Sequence, residues 1–435
     1  MRMDIWKIRG GRRLSGEQRV QGSKNASLPI LAATLLCPGP VELHRVPDLL
    51  DVDTALEILR CLGCRTEKGE GRACVDCAEL SGCSIPPELM ERMRSSVIFL
   101  GPLLARCGQG EISLPGGCRL GKRPIDLHLS ALRQMGARIV EEEGRIVCLP
   151  SRLRGTDVVL PFPSVGATEN VMLAACGAAG ETKIRGAARE PEIVALQRAL
   201  RAMGAQVSGA GSDTVTVAGG RSRHSACVCV PPDRIAAATL CCACASAGGK
   251  IWLTDCDPGE LSAIGYFLNR AGCDMINKNG RVGVSCQGRL RPIEHIVTAP
   301  YPGFPTDVQP LLMAALLRAD GESRFTENIF EARYRHVPAL RKLGADIRVD
   351  GREALVRGTS RLHGAAVEAT DLRGGAAMIL AGLAAEGETL VYDIGHIRRG
   401  YEGLDDRLRA LGADLSVSNK GEDYGRKEKT ERHQP

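Results

Sequence analysis

Apolar positions along the chain fall into two recurring patterns. Runs such as Ala237–Ala245 (Ala-Ala-Thr-Leu-Cys-Cys-Ala-Cys-Ala) and Ala376–Ala385 (Ala-Ala-Met-Ile-Leu-Ala-Gly-Leu-Ala-Ala) are apolar nearly all round. A helix without a polar face has to be buried. Short alternating runs such as Arg145–Leu149 read instead as half-buried strands.

These patterns repeat in register. A helix-ending phrase, Leu-Arg-x-x-Gly-Ala or a near variant, places its glycine at Gly63, Gly136, Gly204, Gly272, Gly344 and Gly412, at spacings of 73, 68, 68, 72 and 68 residues. A second phrase, a glycine opening a short strand, recurs at Gly39, Gly110, Gly180, Gly249, Gly321 and Gly387. Glycine just past a helix is a common C-terminal stop. Each unit therefore reads helix, strand, helix, strand, strand, and six units of about 70 residues fill the chain. Because the first helix of each unit is apolar all round and rich in Ala and Cys, helices are expected inside and sheets outside. The fold class expected is α/β, a two-lobed inside-out α/β barrel with three units per lobe.

Composition narrows the function classes. The 435 residues include only 3% aromatics, too few for the stacking platforms of a single-strand nucleic-acid binder. The net charge of +6, from 57 basic and 51 acidic residues, is too balanced for a nucleic-acid footprint but compatible with an anionic small substrate. Met1–Arg12 has no secretory pattern, and apolar runs such as Leu28–Cys37 are too short to span a bilayer. A soluble, cytoplasmic protein without membrane or nucleic-acid partners is expected. The 18 cysteines then read as small buried hydrophobes rather than disulfides, with one reactive exception. Cys61-x-x-Cys64 and Cys74-x-x-Cys77 have too short an intervening segment for the usual zinc spacing, and apolar residues take the same slots in the other units, so no metal site is expected there.

Four features carry candidate chemistry. The apolar helices open on Lys24-Asn25, Arg94-Ser95, Ser164-Val165-Gly166, Asp233-Arg234, Thr306-Asp307 and Asp371-Leu-Arg373. Helix N-termini favour anions. Asp, Ser and Thr there also serve as ordinary caps, whereas Lys24, Arg94 and Arg373 oppose the dipole and are not explained by capping. The loop Pro115-Gly-Gly-Cys118-Arg-Leu-Gly-Lys122-Arg123-Pro124 surrounds one thiol with cations, the setting of a reactive cysteine. Tyr301-Pro-Gly-Phe-Pro-Thr-Asp307 delivers Asp307 stiffly to a helix start, as a general base or as a cap. His396-Ile-Arg398-Arg399-Gly-Tyr-Glu402 offers either a clamp for phosphate or carboxylate or a solvated turn.

Taken together, Gly22-Ser-Lys24-Asn25, Met93-Arg94-Ser-Ser, Leu114-Pro-Gly-Gly-Cys118 with Arg123-Pro-Ile-Asp-Leu-His128, Pro163-Ser-Val-Gly-Ala-Thr-Glu-Asn170, Pro302-Gly-Phe-Pro-Thr-Asp307, Asp371-Leu-Arg373 and Arg399-Gly-Tyr-Glu402 resemble the UDP-N-acetylglucosamine 1-carboxyvinyltransferases, in the right order from about residue 4 to residue 418. The resemblance implies a two-lobed fold: residues 1–22 and 232–420 form the lobe holding both termini, 23–231 form the lobe carrying the cysteine loop, and 421–435 form a tail without apolar pattern. It implies transfer of the enolpyruvyl group of phosphoenolpyruvate to the 3-hydroxyl of UDP-N-acetylglucosamine, with phosphate released, in the first committed step of peptidoglycan synthesis. No metal or organic cofactor is implied.

Residue by residue, the resemblance makes Cys118 a general acid and Asp307 the acceptor of the sugar hydroxyl proton. Lys24, Arg123 and Arg399 would hold phosphate and carboxylate, and Asn25 would orient the sugar. Arg94, Arg123, Pro124, Ile125, Asp126, Leu127, Phe162, Pro163, Ser164, Val165 and Ile329 would line the nucleotide-sugar site, with Asp371 and Arg373 supporting it. The chain departs from the pattern at Ala236-Ala-Ala-Thr239, where Glu-Thr-Gly-Thr is usual, and at Gly374-Gly375. Losing a carboxylate beside Arg234 is expected to remove an ion pair between the lobes. The shikimate-pathway enolpyruvyl transferases and a catalytically weakened relative acting as a binding protein are the competing readings.

Overall fold

A computed structural model describes residues 4–114, 125–142, 144–220 and 223–419. The first unit shows the pattern: helix Lys24–Ala33, strand Pro40–His44, helix Leu50–Cys61, then the antiparallel strands Arg65–Gly69 and Arg72–Asp76. Among the described residues, five such sheets have four strands and one has three. The apolar helices are buried as their composition requires, with eleven of the fourteen residues of Arg234–Ala247 and twelve of the thirteen of Leu372–Ala384 inaccessible. Helices inside and sheets outside is the layering seen.

Strand exchange ties the units together. Ala226–Cys229 pairs in parallel with Pro40–His44 of the first unit. Asp4–Arg9 sits between Glu388–Tyr392 and Asp414–Asn419, and Leu14–Arg19 pairs with Gly249–Thr254. Buried apolar side chains form two separate clusters, one drawn from residues 26–230, the other from 6–20 and 235–415.

The second unit departs from the simple pattern. Its inner helix is broken into Pro87–Arg92, a tight 3-10 segment Arg94–Phe99 and helix Leu100–Cys107. Pro102 has no N–H to give back to Ile98, so a regular helix can begin only around Leu100. Arg94 accordingly opens a 3-10 turn rather than an α-helix.

Four cysteines correct the expectation that the thiols are packing residues alone. Cys64 is bonded to Cys77 and Cys273 to Cys286. In both cases the pair extends a strand ladder by one position, beyond Arg65↔Asp76 and at the end of Asp274↔Ser285. The Cα atoms stand 4.5 and 4.6 Å apart, the close spacing of a non-hydrogen-bonded antiparallel pair, which brings directly opposed cysteines together. The buried thiols Cys37, Cys148, Cys176, Cys241, Cys242 and Cys244 do pack as small hydrophobes.

One buried polar side chain organises the lobe nearest the substrate-binding candidates. Helices Leu100–Cys107 and Val165–Ala175 approach so closely at Gly101 that an added Cβ would lie 2.3 Å from the Asn170 carbonyl oxygen. Asn170 Oδ1 accepts from the Gly101 N–H at 2.6 Å, and its Nδ2 donates to Val97 O at 3.0 Å and to His128 Nδ1 at 3.1 Å. Burial pushes the His128 imidazole down to about 4, so at neutral pH the ring is uncharged and its Nδ1 can accept. Asn170 thus links the segment opened by Arg94, the helix opened by Asp126 and the helix opened by Val165. Asn170→Leu keeps the volume but leaves a buried N–H, a C=O and a ring nitrogen without this partner. The expected loss is about 2–4 kcal/mol in urea unfolding; a change below about 0.5 kcal/mol would show that the three elements do not depend on this hub.

Candidate active site

The inner helices of both lobes aim their N-termini at one cavity of about 630 Å³. Ser23 caps Lys24–Ala33 by accepting from Ala26 N, and Ser164 caps Val165–Ala175 by accepting from Ala167 N. On the other side Asp233 accepts from Ile235 and Ala236, and Asp371 from Arg373 and Gly374. The reading of Ser164, Asp233 and Asp371 as ordinary caps therefore holds, and Ser23 joins them. It does not hold for Asp307: the helix beyond it starts at Gln309 without a side-chain cap.

Asp307 is instead gripped by two buried arginines. Arg333 reaches Oδ1 at 2.9 Å, and Arg373 reaches Oδ2 through Nη2 at 3.1 Å and Nε at 3.3 Å. Arg333 also donates twice to Thr306 O, at 3.0 and 2.7 Å, fixing the backbone that carries Asp307. These contacts fix the orientation of the carboxylate, with one arginine donor on Oδ1 and two on Oδ2. Thr306 donates to Glu327, whose Oε1 accepts from Ile329 N and Phe330 N and so shapes the turn that brings Ile329 to the cavity wall.

A second carboxylate, Asp51, joins the lobes. It is 2% exposed, receives Lys24 Nζ at 2.9 Å from its own lobe, and receives Arg399 Nε at 2.8 Å from the other. Burial acts to raise its carboxyl, but Lys24 and Arg399 outweigh burial and hold it below the usual carboxylate range. Lys24 and Arg399 are thus positioned as a pair of cations on one anion. The Lys24 N–H also donates to Asp233 across the lobe boundary at 3.0 Å.

Ala236 offers Arg234 no carboxylate, but Arg234 is paired with Glu192 instead. Its Nε and Nη2 meet Glu192 Oε1 and Oε2 at 3.0 and 3.2 Å, a bidentate pair across the lobes, and its guanidinium lies 5.8 Å from the Tyr301 ring centre. Nearby Glu169 is buried in the cavity wall. Burial, reinforced by Glu192 and Glu190, lifts its carboxyl well above the usual carboxylate range. At the second departure, Gly374 lies where a Cβ would stand 2.7 Å from Asp371 Oδ2 and 2.8 Å from His336 Cβ, so the helix start closes on its cap because no side chain intervenes.

The cavity is lined by Lys24, Asn25, Arg94, Ile125, Asp126, Leu127, Phe162, Pro163, Ser164, Val165, Asp307, Ile329, Asp371, Arg373 and Arg399, which are all the described candidates named from the sequence. Cys118, Arg123 and Pro124 lie outside the described residues. Sequence reasoning missed Asp51, Glu192 and Arg333. Asp51 reads locally as an ordinary acid in the first turn of Leu50–Cys61, with no signal tying it to Lys24 or Arg399.

The chain is similar to known proteins in sequence and fold. The sequence profile of the family described as EPSP synthase (3-phosphoshikimate 1-carboxyvinyltransferase) matches residues 8–408. UDP-N-acetylglucosamine 1-carboxyvinyltransferase 2 of Caldanaerobacter subterraneus is 45% identical over 413 residues, 95% of this chain and 99% of the relative. UDP-N-acetylglucosamine 1-carboxyvinyltransferase 1 of Symbiobacterium thermophilum is 48% identical over 94% of each chain. Among solved structures, the enolpyruvyl transferase NikO from Streptomyces tendae superposes with a TM-score of 0.86 at 26% identity, over 96% of this chain and all of the other. An EPSP synthase from Acinetobacter baumannii, at 19% identity and a TM-score of 0.72 over 96% of this chain and all of the other, shares the fold. The chain belongs to the enolpyruvyl transferase family, and within it is an enzyme of the UDP-N-acetylglucosamine 1-carboxyvinyltransferase group.

Proposed function

We propose that the enzyme transfers the enolpyruvyl group of phosphoenolpyruvate to the 3-hydroxyl of UDP-N-acetylglucosamine in the cytoplasm. The observation that carries this reading is the convergence of Lys24, Arg399 and Arg94 with the doubly clamped Asp307 on one cavity between helix N-termini. A site for a trianionic enol phosphate and a nucleotide diphosphate needs this positive lining. A site that deprotonates a sugar hydroxyl needs a carboxylate held at fixed orientation.

In the reaction, the methylene carbon of phosphoenolpyruvate takes a proton, which the resemblance assigns to Cys118. The adjacent carbon then carries oxocarbenium character. The sugar oxygen bonds to that carbon while its proton passes to Asp307, giving a tetrahedral phospho-ketal. Loss of a methyl proton and departure of phosphate restore the carbon–carbon double bond on the sugar ether. Lys24 and Arg399 neutralise the phosphate and carboxylate throughout, and Asn25 orients the sugar. Arg333 and Arg373 keep Asp307 aimed and favour its return to the carboxylate after each turnover.

Incubation with phosphoenolpyruvate and UDP-N-acetylglucosamine is expected to release phosphate, and replacing the sugar nucleotide by shikimate 3-phosphate is expected to abolish release. Release with shikimate 3-phosphate alone would assign the chain to the other branch; release with neither would favour a binding protein. Asp307→Asn keeps one oxygen to accept from an arginine, turns the other position into a donor facing an arginine and cannot take the proton, so kcat is expected to drop about 10²–10⁴-fold while calorimetry still detects substrate binding.

Asp51 gives a pH-dependent prediction. Its folded-state value lies below the ordinary 3.8, so its stabilisation is present above pH 3.8 and is lost as the pH falls through the lower, folded-state value. Asp51→Asn is expected to cost about 1–3 kcal/mol at pH 7 and to raise KM for phosphoenolpyruvate about tenfold, since Lys24 and Arg399 lose their common anchor. The stability gap to the parent should narrow below pH 3.8, as the parent carboxyl protonates; a gap unchanged from pH 7 to pH 3 would contradict the assigned ion triad.

A further inference from the structure

The outer face of the first sheet carries a group of ligands that the transferase chemistry does not use. In strand Pro40–His44, Val41 and Leu43 point into the core and are fully buried, so Glu42 and His44 point outward on one face. The neighbouring parallel strand Ala226–Cys229 places Cys227 opposite Glu42 and Cys229 opposite His44, and both thiols are free and exposed. Cys74 flanks Glu42 on its other side. His44 Nε2 stands 3.1 Å from Glu42 Oε1. One ligand atom from each of Glu42, His44 and Cys227 lies within 4.8 Å of the others.

We propose that Glu42, His44 and Cys227 form a zinc-binding site on this sheet. A thiolate, an imidazole and a carboxylate are the three ligand types zinc accepts, and three protein ligands leave a fourth tetrahedral position for water. The thiolate and imidazole disfavour Ca²⁺ and Mg²⁺, which take oxygen ligands. Small rotamer changes suffice, because the donors already converge and the zinc–ligand distances of about 2.0–2.3 Å place paired donors roughly 3–4 Å apart. Binding exchanges the Cys227 S–H proton for the S–Zn bond, so a proton is released to solvent.

The internal repeats argue that the fold does not require this set. The positions of Glu42 and His44 are Lys183 and Arg185 in the third unit, Trp252 and Thr254 in the fourth, Arg324 and Thr326 in the fifth, and Leu390 and Tyr392 in the sixth. Their strands occupy corresponding places in their own sheets. A sheet built from Leu/Tyr or Trp/Thr at these outward positions shows that neither acid nor imidazole is needed for strand pairing. Among the described residues, no other group of three or more His, Cys, Asp and Glu side chains brings its donors this close.

The test uses the full-length enzyme with its free thiols reduced, and Co²⁺ and Zn²⁺ as probes. Co²⁺ should give a thiolate-to-metal charge-transfer band that Zn²⁺ displaces at one equivalent. Cys227→Ser should abolish the band, and His44→Ala should weaken Zn²⁺ binding at least about tenfold. Cys61→Ser, which removes an exposed thiol elsewhere, should bind like the parent. All three variants should retain parental circular dichroism and phosphate release without added metal. No band in the parent, a band that survives in Cys227→Ser, or one lost instead in Cys118→Ser would each overturn the site.

Discussion

Everything in this enzyme depends on pointing buried helices at one another. An all-apolar helix can be satisfied along its length by packing, but its N-terminus still presents unpaired N–H groups and a positive dipole end. Layering the sheets outside leaves those ends nowhere to go except the junction of the two halves. The cavity is therefore electropositive before any cation is added, and Lys24, Arg94, Arg234, Arg373 and Arg399 add to that field. Such a junction repels itself unless anions are supplied.

The supply is a small set of carboxylates, each shared between elements that would otherwise be pushed apart. Asp51 holds Lys24 and Arg399, Glu192 holds Arg234, and Asp307 holds Arg333 and Arg373. Two of these arrangements cross between the halves, so the electrostatics that would separate the lobes are what registers them. The same logic sets the chemistry. Cations already fixed on a carboxylate are oriented before substrate arrives, which lowers the entropy lost in binding an anionic phosphate. A carboxylate fixed by two arginines is oriented for proton transfer. Stability and catalysis draw here on one set of ion pairs.

The fold was legible in the sequence because it is repeated. Five copies of Leu-Arg-x-x-Gly with one Leu-Asn variant, and six strand-opening glycines, fix the unit, and helices apolar on every side exclude the usual layering with helices outside. Lys24, Arg94 and Arg373 were legible at helix starts, where a cation contradicts local preference, whereas Phe162, Ile329 and most of the remaining lining came only from the family resemblance. Asp51, Glu192 and Arg333 were not legible. Each looks conventional in its own helix or turn, and each acquires its partner from a segment 26 or more residues away. The two disulfides were misread for the same reason. Cys64 and Cys273 follow a helix-ending glycine where other units carry Ala, and only the ladder register places them opposite Cys77 and Cys286.

Repetition also shows where function has been added. A scaffold copied six times needs the same glycines, the same buried helices and the same alternation in every copy, and those positions say little about chemistry. What differs between copies at an equivalent place is free of that requirement. Lys24 stands at the first helical position, just after its cap Ser23, where other copies carry Val165, Arg234 or Leu372 after theirs. Pro102 breaks one inner helix alone, so Arg94 sits on a tighter turn than its counterparts. Gly374 closes one helix start onto its own cap, and Glu42 and His44 place a ligand pair on one outer strand face. In a pseudo-symmetric fold the copies serve as internal controls: a residue unlike its five equivalents, in a position the backbone does not dictate, is the residue whose chemistry has to be explained.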